Sequence, residues 1–190
     1  MTIKIYVPID STAQSLGANE IAIAIELEAQ KRNLEIELVR NGSRGLFWLE
    51  PLVEVLHNGD RVAYGPISEG DVKSLFDSKF YEGGKHDKYL GKTDEIVWLK
   101  NQERLTFARV GITDPLSLDD YLDHQGFEGL KKAVSLEPQK IVDEVKDSGL
   151  RGRGGAAFPT GIKWQTVLDT QSSQKYIVCN ADEGDSGTFS

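Results

Sequence analysis

The chain has 190 residues, with 22 Lys and Arg against 30 Asp and Glu, giving a net charge of −8 and 39% hydrophobic residues. That composition suits a globular protein of one or two domains and argues against a nucleic-acid or anionic-membrane binder, which needs a positive face. The single cysteine, Cys179, excludes an intrachain disulfide and any all-cysteine metal or iron–sulfur site built from these residues alone, and it fits a reducing, cytoplasmic setting.

Residues 1–80 read as a small α/β domain. Ile3–Val7 is a short strand bounded by Pro8. A helix follows from about Leu16 to Arg32, with Ala18, Ile21, Ala22, Ile25 and Ala29 on one stripe at helical spacing. Leu34–Val39 alternates with period two, as a half-buried strand does. Asn41-Gly42-Ser43 is a turn. Leu52–Leu56 and Arg61–Tyr64 flank Asn58-Gly59, the best hairpin signal in the chain, and Asp71–Phe76 is a short helix. The run Ile21–Ile25 is far shorter than the about 20 residues of a membrane span, and Met1–Tyr6 lacks a signal-peptide core.

Residues 81–112 read as a linker with short strands. Its polar part contains Gly83-Gly84 and Gly91; Ile96–Leu99 and Arg104–Val110 are the strand candidates. Residues 113–190 read as a second domain. Asp114-Pro115 is a turn, and Ser117 with Asp120 opens a helix as a capping-box variant. A further helix starts near Pro138, buries Ile141, Val142 and Val145, and stops at Ser148-Gly149. Thr160 caps another through about Leu168, and Tyr176–Asn180 reads as a buried strand with Cys179 as inert core. The chain stops at a polar glycine-containing turn, which suggests the N-terminal piece of a longer protein.

The chemistry-bearing stretch runs from Gly149 to Trp164, with five glycines and three cations in sixteen residues. Glycines let backbone N–H groups turn toward one point and form an anion nest. Arg151, Arg153 and Lys163 add positive charge, and a helix starting near Thr160 aims its positive end nearby. Phosphate is the natural guest; an inter-element loop with no ligand is the other reading. Gly152-x-Gly154-x-x-Ala157 matches the dinucleotide fingerprint in form, but it follows a helix where the fingerprint follows a strand. Lys163 is outside any P-loop setting. The acids of Asn180–Asp185 suit sugar hydroxyls, and a polar turn with no ligand fits equally. Phe158 and Trp164 suit stacking on a planar ring or, more ordinarily, anchoring in a core. His57, His86 and His124 are scattered at turns without metal-ligand spacing and read as surface residues.

Three ordered motifs carry a resemblance over about residues 100–190: Asp114–Tyr121, Ser148–Trp164 and Cys179–Asp185. They resemble the flavin subunit of the respiratory complex I family, which includes diaphorase subunits of NAD-reducing hydrogenases and of soluble NAD-dependent formate dehydrogenases. Ala157, in place of the usual glycine, and Asp185–Ser190 resemble the formate dehydrogenase branch. Asn41–Val55 resembles a thioredoxin-like ferredoxin module fused ahead of the flavin domain, without the cysteines that hold a two-iron cluster there. The fold implied is therefore α/β (α+β), an N-terminal thioredoxin-like domain followed by the beginning of an FMN-binding α/β domain.

The resemblance implies FMN and NAD as cofactors, with a 4Fe-4S cluster held by four cysteines beyond residue 190. It assigns Gly152, Arg153, Gly154, Gly155 and Lys163 to FMN, with Asn180, Asp182 and Glu183 also contacting it. Phe158 would stack on the adenine of NAD(H), with Asp185 near its ribose. A second aromatic for that stack is replaced here by Thr166. The implied partners are a molybdenum-containing catalytic subunit and a small ferredoxin-like subunit, with no nucleic acid and no direct membrane insertion. The alternatives are the flavin subunit of complex I or of a hydrogenase, and, for these 190 residues alone, a non-catalytic scaffold.

Overall fold

β1 (Ile3–Tyr6) runs parallel to β2 (Ile36–Val39), with Ile3 opposite Ile36 and Tyr6 opposite Val39. The computed structural model describes residues 2–105 and 107–179. Two helices make the β1–β2 crossover. α1 (Ser11–Ser15) is capped by Asp10, whose carboxylate accepts from the amides of Thr12 and Ala13 at 3.1 and 3.2 Å. α2 (Ala18–Lys31) buries Ala18, Ile21, Ala22, Ile25 and Ala29, the stripe that the helical period marks out.

β3 (Val53–His57) and β4 (Asp60–Tyr64) form the hairpin, paired Val53 to Tyr64 through His57 to Asp60. Asn58 and Gly59 take φ of +51° and +86°, the left-handed pair that a two-residue turn needs. β3 pairs antiparallel with β1, Ile5 opposite Val55. A 3-10 turn at Glu69–Asp71 leads into α3 (Val72–Asp77), which packs Val72, Leu75 and Phe76 into the core.

The glycine-containing stretch after α3 is part of the fold, where the sequence reads as linker. β5 (Tyr89–Lys92) adds to β4 and completes the order β2-β1-β3-β4-β5. Aromatic packing holds it: Tyr64 meets Tyr89 edge-on at 5.6 Å and Phe80 at 5.7 Å. The Tyr64 hydroxyl lies 2.8 Å from the Gly84 carbonyl, and burial pushes it well above the ordinary tyrosine range, so it stays a donor. Gly84 is needed there, because a Cβ would stand 1.8 Å from the Ser78 carbonyl oxygen.

Alternation gives the sheet two unlike faces. Ile5, Val7, Val53, Val55, Val62 and Tyr64 pack with α2 and α3 in the core. Lys4, Tyr6, Glu37, Glu54 and Arg61 belong to the opposite set, with Lys4 paired to Glu37 at 2.8 Å and the Arg61 guanidinium 3.6 Å above the Tyr6 ring. A βαβ unit, a hairpin and a helix around a central 2-1-3-4 strand order is a thioredoxin-like connectivity, here with β5 as an added edge.

The two strand candidates after β5 do not form. Val97–Lys100 is a helical turn, α4, with the Ile96 carbonyl accepting from Leu99 and Lys100 at 2.8 Å. Residues 107–110 form turns, closed by Val110 donating to Phe107 at 3.1 Å. Short apolar runs do not by themselves distinguish strand from helix. α5 (Leu118–Asp123) opens at Ser117, whose hydroxyl accepts from the Asp120 amide at 3.1 Å. The return bond of a capping box is redirected: Asp120 accepts instead from the Asp114 amide at 2.6 Å.

The chain divides into residues 1–124 and 125–190. The second unit holds α6 (Glu128–Val134), α7 (Pro138–Asp147) and α8 (Thr160–Asp169). Pro138 occupies the first turn of α7, Val142 is buried, and Gly149 leaves the helix at φ +66°. Residues 176–179 carry no strand, and Tyr176, Ile177 and Val178 are exposed, so Cys179 is exposed rather than core. A strand there needs a neighbouring strand, and the described residues of this unit contain none.

Candidate functional site

The glycine-rich stretch is a closed loop between α7 and α8. A single antiparallel bridge joins Arg151 to Pro159, with Gly152 donating to the Phe158 carbonyl and Thr160 to the Leu150 carbonyl, both at 2.9 Å. The tip is a turn in which the Ala157 amide donates to the Gly154 carbonyl at 3.1 Å. Arg151 stitches the base: its Nε donates to the Ala157 carbonyl at 2.7 Å. Composition alone says "glycine loop"; the bridge makes it a defined one.

The helices beneath fix its ends. Gly161 in the first turn of α8 is buried, and a Cβ on it would stand 2.9 Å from both the backbone N and the Cα of Lys146 in α7. Gln139 and Gln165 exchange amide hydrogen bonds at 2.9 and 3.1 Å across the pair, and Lys146 donates to Gln165 at 2.5 Å. Lys132 to Glu144, at 2.6 Å, ties α6 to α7. These clamps are missed by sequence reading; the only hint is that Gln139–Asp143 and Gln165–Asp169 each fall at the i, i+4 spacing, where they bond at 2.9 and 2.8 Å.

Gly152, Arg153, Gly154, Gly155, Phe158 and Lys163 are thus brought together on one loop and the following helical turn. Residues 151–158 are exposed. The amides of Arg153, Gly154, Gly155 and Ala156 find no acceptor among the described residues. An added Cβ on Gly154 or Gly155 would meet nothing within 4 Å. Four adjacent unclaimed donors on an exposed loop, beside the guanidinium of Arg153, are what a phosphate group needs. The Lys163 ammonium lies 5.6 Å from the centroid of the Phe158 ring.

The left-handed residue of the loop is Ala157, at φ +43°. Two expectations are corrected. Thr160 does not cap α8: Pro159 holds the cap position and no side chain bonds there. Phe158 and Trp164 are 45% and 46% exposed, so neither is a core anchor. Asn180, Asp182, Glu183 and Asp185 lie outside the described residues. Among the described residues, no three His, Cys, Asp or Glu side chains gather as a metal set, and no helix is long and apolar enough to cross a membrane.

Residues 145–190 match the family model of the Nuo51 FMN-binding domain. The NADP-reducing hydrogenase subunit HndC of Solidesulfovibrio fructosivorans is 56% identical over 86 residues, 45% of this chain and 18% of that protein. A subunit of the NADH-quinone oxidoreductase of Escherichia coli is 48% identical over 96 residues, 50% of this chain and 22% of that protein. The NAD-reducing hydrogenase HoxS subunit alpha of Cupriavidus necator is 52% identical over 60 residues, 32% of this chain and 10% of that protein. The chain therefore spans about a fifth or less of these relatives, from 10 to 22% of their length. Among solved structures, the thioredoxin-like [2Fe-2S] ferredoxin of Aquifex aeolicus aligns over 48% of this chain and 98% of its own, at 17% identity and a TM-score of 0.41. An NAD+-reducing [NiFe]-hydrogenase aligns over 98% of this chain and 31% of its own, at 20% identity and a TM-score of 0.38. The segment 145–190, which contains the bridged glycine loop, is similar to the FMN-binding domain of the complex I 51-kDa family, and the chain shares stretches of sequence with quinone-reducing and hydrogenase subunits alike.

Proposed function

We propose that the chain supplies the phosphate-binding part of an FMN site in an NAD(H)–FMN diaphorase subunit, and that residues 113–190 are the beginning of that domain. The observation that carries this is the bridged loop at Gly149–Pro159 inside the segment matching the FMN-binding domain. The residues fit the group: unclaimed amides at 153–156, open space at Gly154 and Gly155, and the cations Arg153 and Lys163 suit a phosphate monoester.

When bound, FMN supplies the chemistry, taking a hydride from the nicotinamide and releasing electrons one at a time. The chain's own residues bind and orient. The loop amides and Arg153 hold the phosphate, and Lys163 lies toward the flavin. Phe158, with its exposed ring, stacks on the adenine of NAD(H). Asn180, Asp182 and Glu183 accept from flavin hydroxyls, with Asp185 near the ribose. The single cysteine means that a 4Fe-4S cluster serving this site uses cysteines outside these 190 residues. The thioredoxin-like unit, with no cysteine in residues 41–55, is redox-inert and serves packing or subunit docking.

Within the family we favour the beta subunit of a soluble, cytoplasmic NAD-dependent formate dehydrogenase. Formate oxidation would then reside on a molybdenum-containing subunit, with a small ferredoxin-like subunit in the same complex. Ala157 and the cysteine-free N-terminal unit support this branch. The second reading is a hydrogenase or complex I subunit, favoured by the names of the relatives above. Neighbouring genes separate the two: a molybdenum-subunit gene supports the first, and a nickel-hydrogenase gene overturns it.

The direct test is an FMN titration of the chain, followed by quenching of flavin fluorescence. A Cβ at Gly154 would meet nothing within 4 Å, so Gly154→Val adds bulk at the loop tip beside the proposed phosphate position. Saturable quenching by the wild type, lost in Gly154→Val, is the expected result. Equal quenching by both overturns the loop assignment; quenching by neither leaves these residues a non-catalytic scaffold when alone.

A further inference from the structure

Glu54 sits in the middle of the sheet, opposite Tyr6 on one side and Ala63 on the other, and is fully buried on the face away from α2 and α3. A carboxylate there needs charge partners. Arg44, 8% exposed, donates to it at 2.9 Å and Arg61 at 3.4 Å. The two guanidiniums exceed one carboxylate; Arg44 Nε finds no partner among the described residues, and Arg61 turns its surplus donors to the main chain of the segment 109–113. Arg61 donates to the carbonyls of Gly111 and Ile112, both at 2.8 Å, and Asn41 to Gly111 at 2.9 Å. The amide of Gly42 donates to the Thr113 carbonyl at 3.1 Å.

Gly111 is the key of this arrangement. It has φ +74°, and a Cβ on it would lie 2.2 Å from Arg44 Cδ. The segment contains no strand and Ile112 is 38% exposed; beyond those hydrogen bonds it is held by a long 3.4 Å bond from Arg104 to the Val110 carbonyl and by the Arg109 guanidinium 5.3 Å from the Tyr121 ring. Its fastening is polar, and every group involved is one that water can satisfy once the segment lifts.

We infer that residues 109–113 are a latched strap over the polar face of the sheet, that Arg61, Glu54, Arg44 and Asn41 are its latch, and that it opens without unfolding the sheet. Opening uncovers Tyr6 and Glu54 and lengthens the free chain leading into α5. The inference is independent of the FMN reading.

Amide hydrogen exchange of the whole chain, read by NMR, tests it. The Gly42 amide reports strap closure; the β3 and β4 amides report the sheet. Arg61→Met removes two strap donors yet leaves Glu54 paired with Arg44, so no buried carboxylate is orphaned. Gly111→Ala blocks the seat by pressing its Cβ on Arg44, and keeps the donors of Arg61 and Asn41. Each variant should speed Gly42 exchange by about tenfold or more while sheet amides stay within about twofold. Unchanged Gly42 exchange in both variants would overturn the latch. Gly42 and sheet amides accelerating together, or both variants failing to fold, would overturn independent opening.

Discussion

Gly161→Ala tests how closely α7 and α8 pack beneath the candidate FMN loop. Two terms oppose each other. Alanine is the better helix former, by up to about 1 kcal/mol in a helix interior and less in a first turn. Against it, the new methyl would stand 2.5 Å from Lys146 Cγ and 2.9 Å from the Lys146 backbone N and Cα. A side-chain carbon can rotate away, but the backbone atoms of a packed helix cannot. The helices must separate by several tenths of an ångström, and overpacking of this kind costs about 1–3 kcal/mol. The clash outweighs the propensity, leaving a net loss of about 1–2 kcal/mol confined to residues 125–190. Urea unfolding followed by Trp164 fluorescence, with Trp48 and Trp98 replaced by Phe, isolates this unit. Lys146→Ala in the same background should restore little, since it removes only the Cγ contact. A Gly161→Ala midpoint equal to or above the wild type would refute the close approach, and full rescue by Lys146→Ala would show that the backbone contacts do not matter.

Further outcomes follow from other sites. Glu50 is buried, which raises its carboxyl above the ordinary range; Asp10 and Glu54 push the same way, against the Ser43 hydroxyl at 2.8 Å and the Leu52 amide at 2.9 Å. Between the ordinary and the raised value the folded state holds the extra proton, so this group's contribution to stability falls as pH rises through that window. Glu50→Gln should flatten the decline in urea midpoints measured from about pH 4 upward; a slope identical to wild type counts against it. Asn58→Ala, at φ +51°, should lower the stability of residues 1–124 by about 1 kcal/mol in the same kind of unfolding curve, and no change would mean the turn tolerates a Cβ without an amide. Arg153→Ala and Lys163→Ala should each weaken FMN binding by about tenfold in the fluorescence titration, an effect that shrinks as salt is raised; salt-independent losses would indicate packing rather than charge.

What was legible in the sequence was local. The α2 stripe, the Asn58-Gly59 turn, and the Pro138 and Gly149 boundaries of α7 each state their structure within a few residues. β5 was not legible, because a polar edge strand is recruited by its neighbour: only Tyr89 packs on Tyr64, and Gly91 takes φ +90°. Strand alternation places Glu54 on the face away from the α2 and α3 core. Solvation does not follow from it, because residues from 109 onward return across that face from more than fifty positions away in sequence.

The candidate site divides along the same line. Composition located the loop, since clustered glycines and cations are a local signal, but it could not place the left-handed residue at Ala157 or foresee the Arg151–Pro159 bridge. That bridge decides how the loop is to be understood. An unbridged glycine run loses much conformational entropy on gripping a phosphate, of order 1 kcal/mol per residue fixed. Here Gly152, Ala157 and Thr160 already spend their amides on closing the loop, while those of Arg153 through Ala156 stay unclaimed among the described residues. The ordering is therefore done by the fold, through two packed helices and one bridge, before any ligand arrives. It follows that substitutions at Gly161, distant from the open amides at the tip, should weaken FMN binding along with stability, whereas Gly154→Val should weaken binding alone. A Gly161→Ala chain that lost stability yet bound FMN as tightly as wild type would show that the tip orders itself on the ligand, and preorganisation would have to be given up.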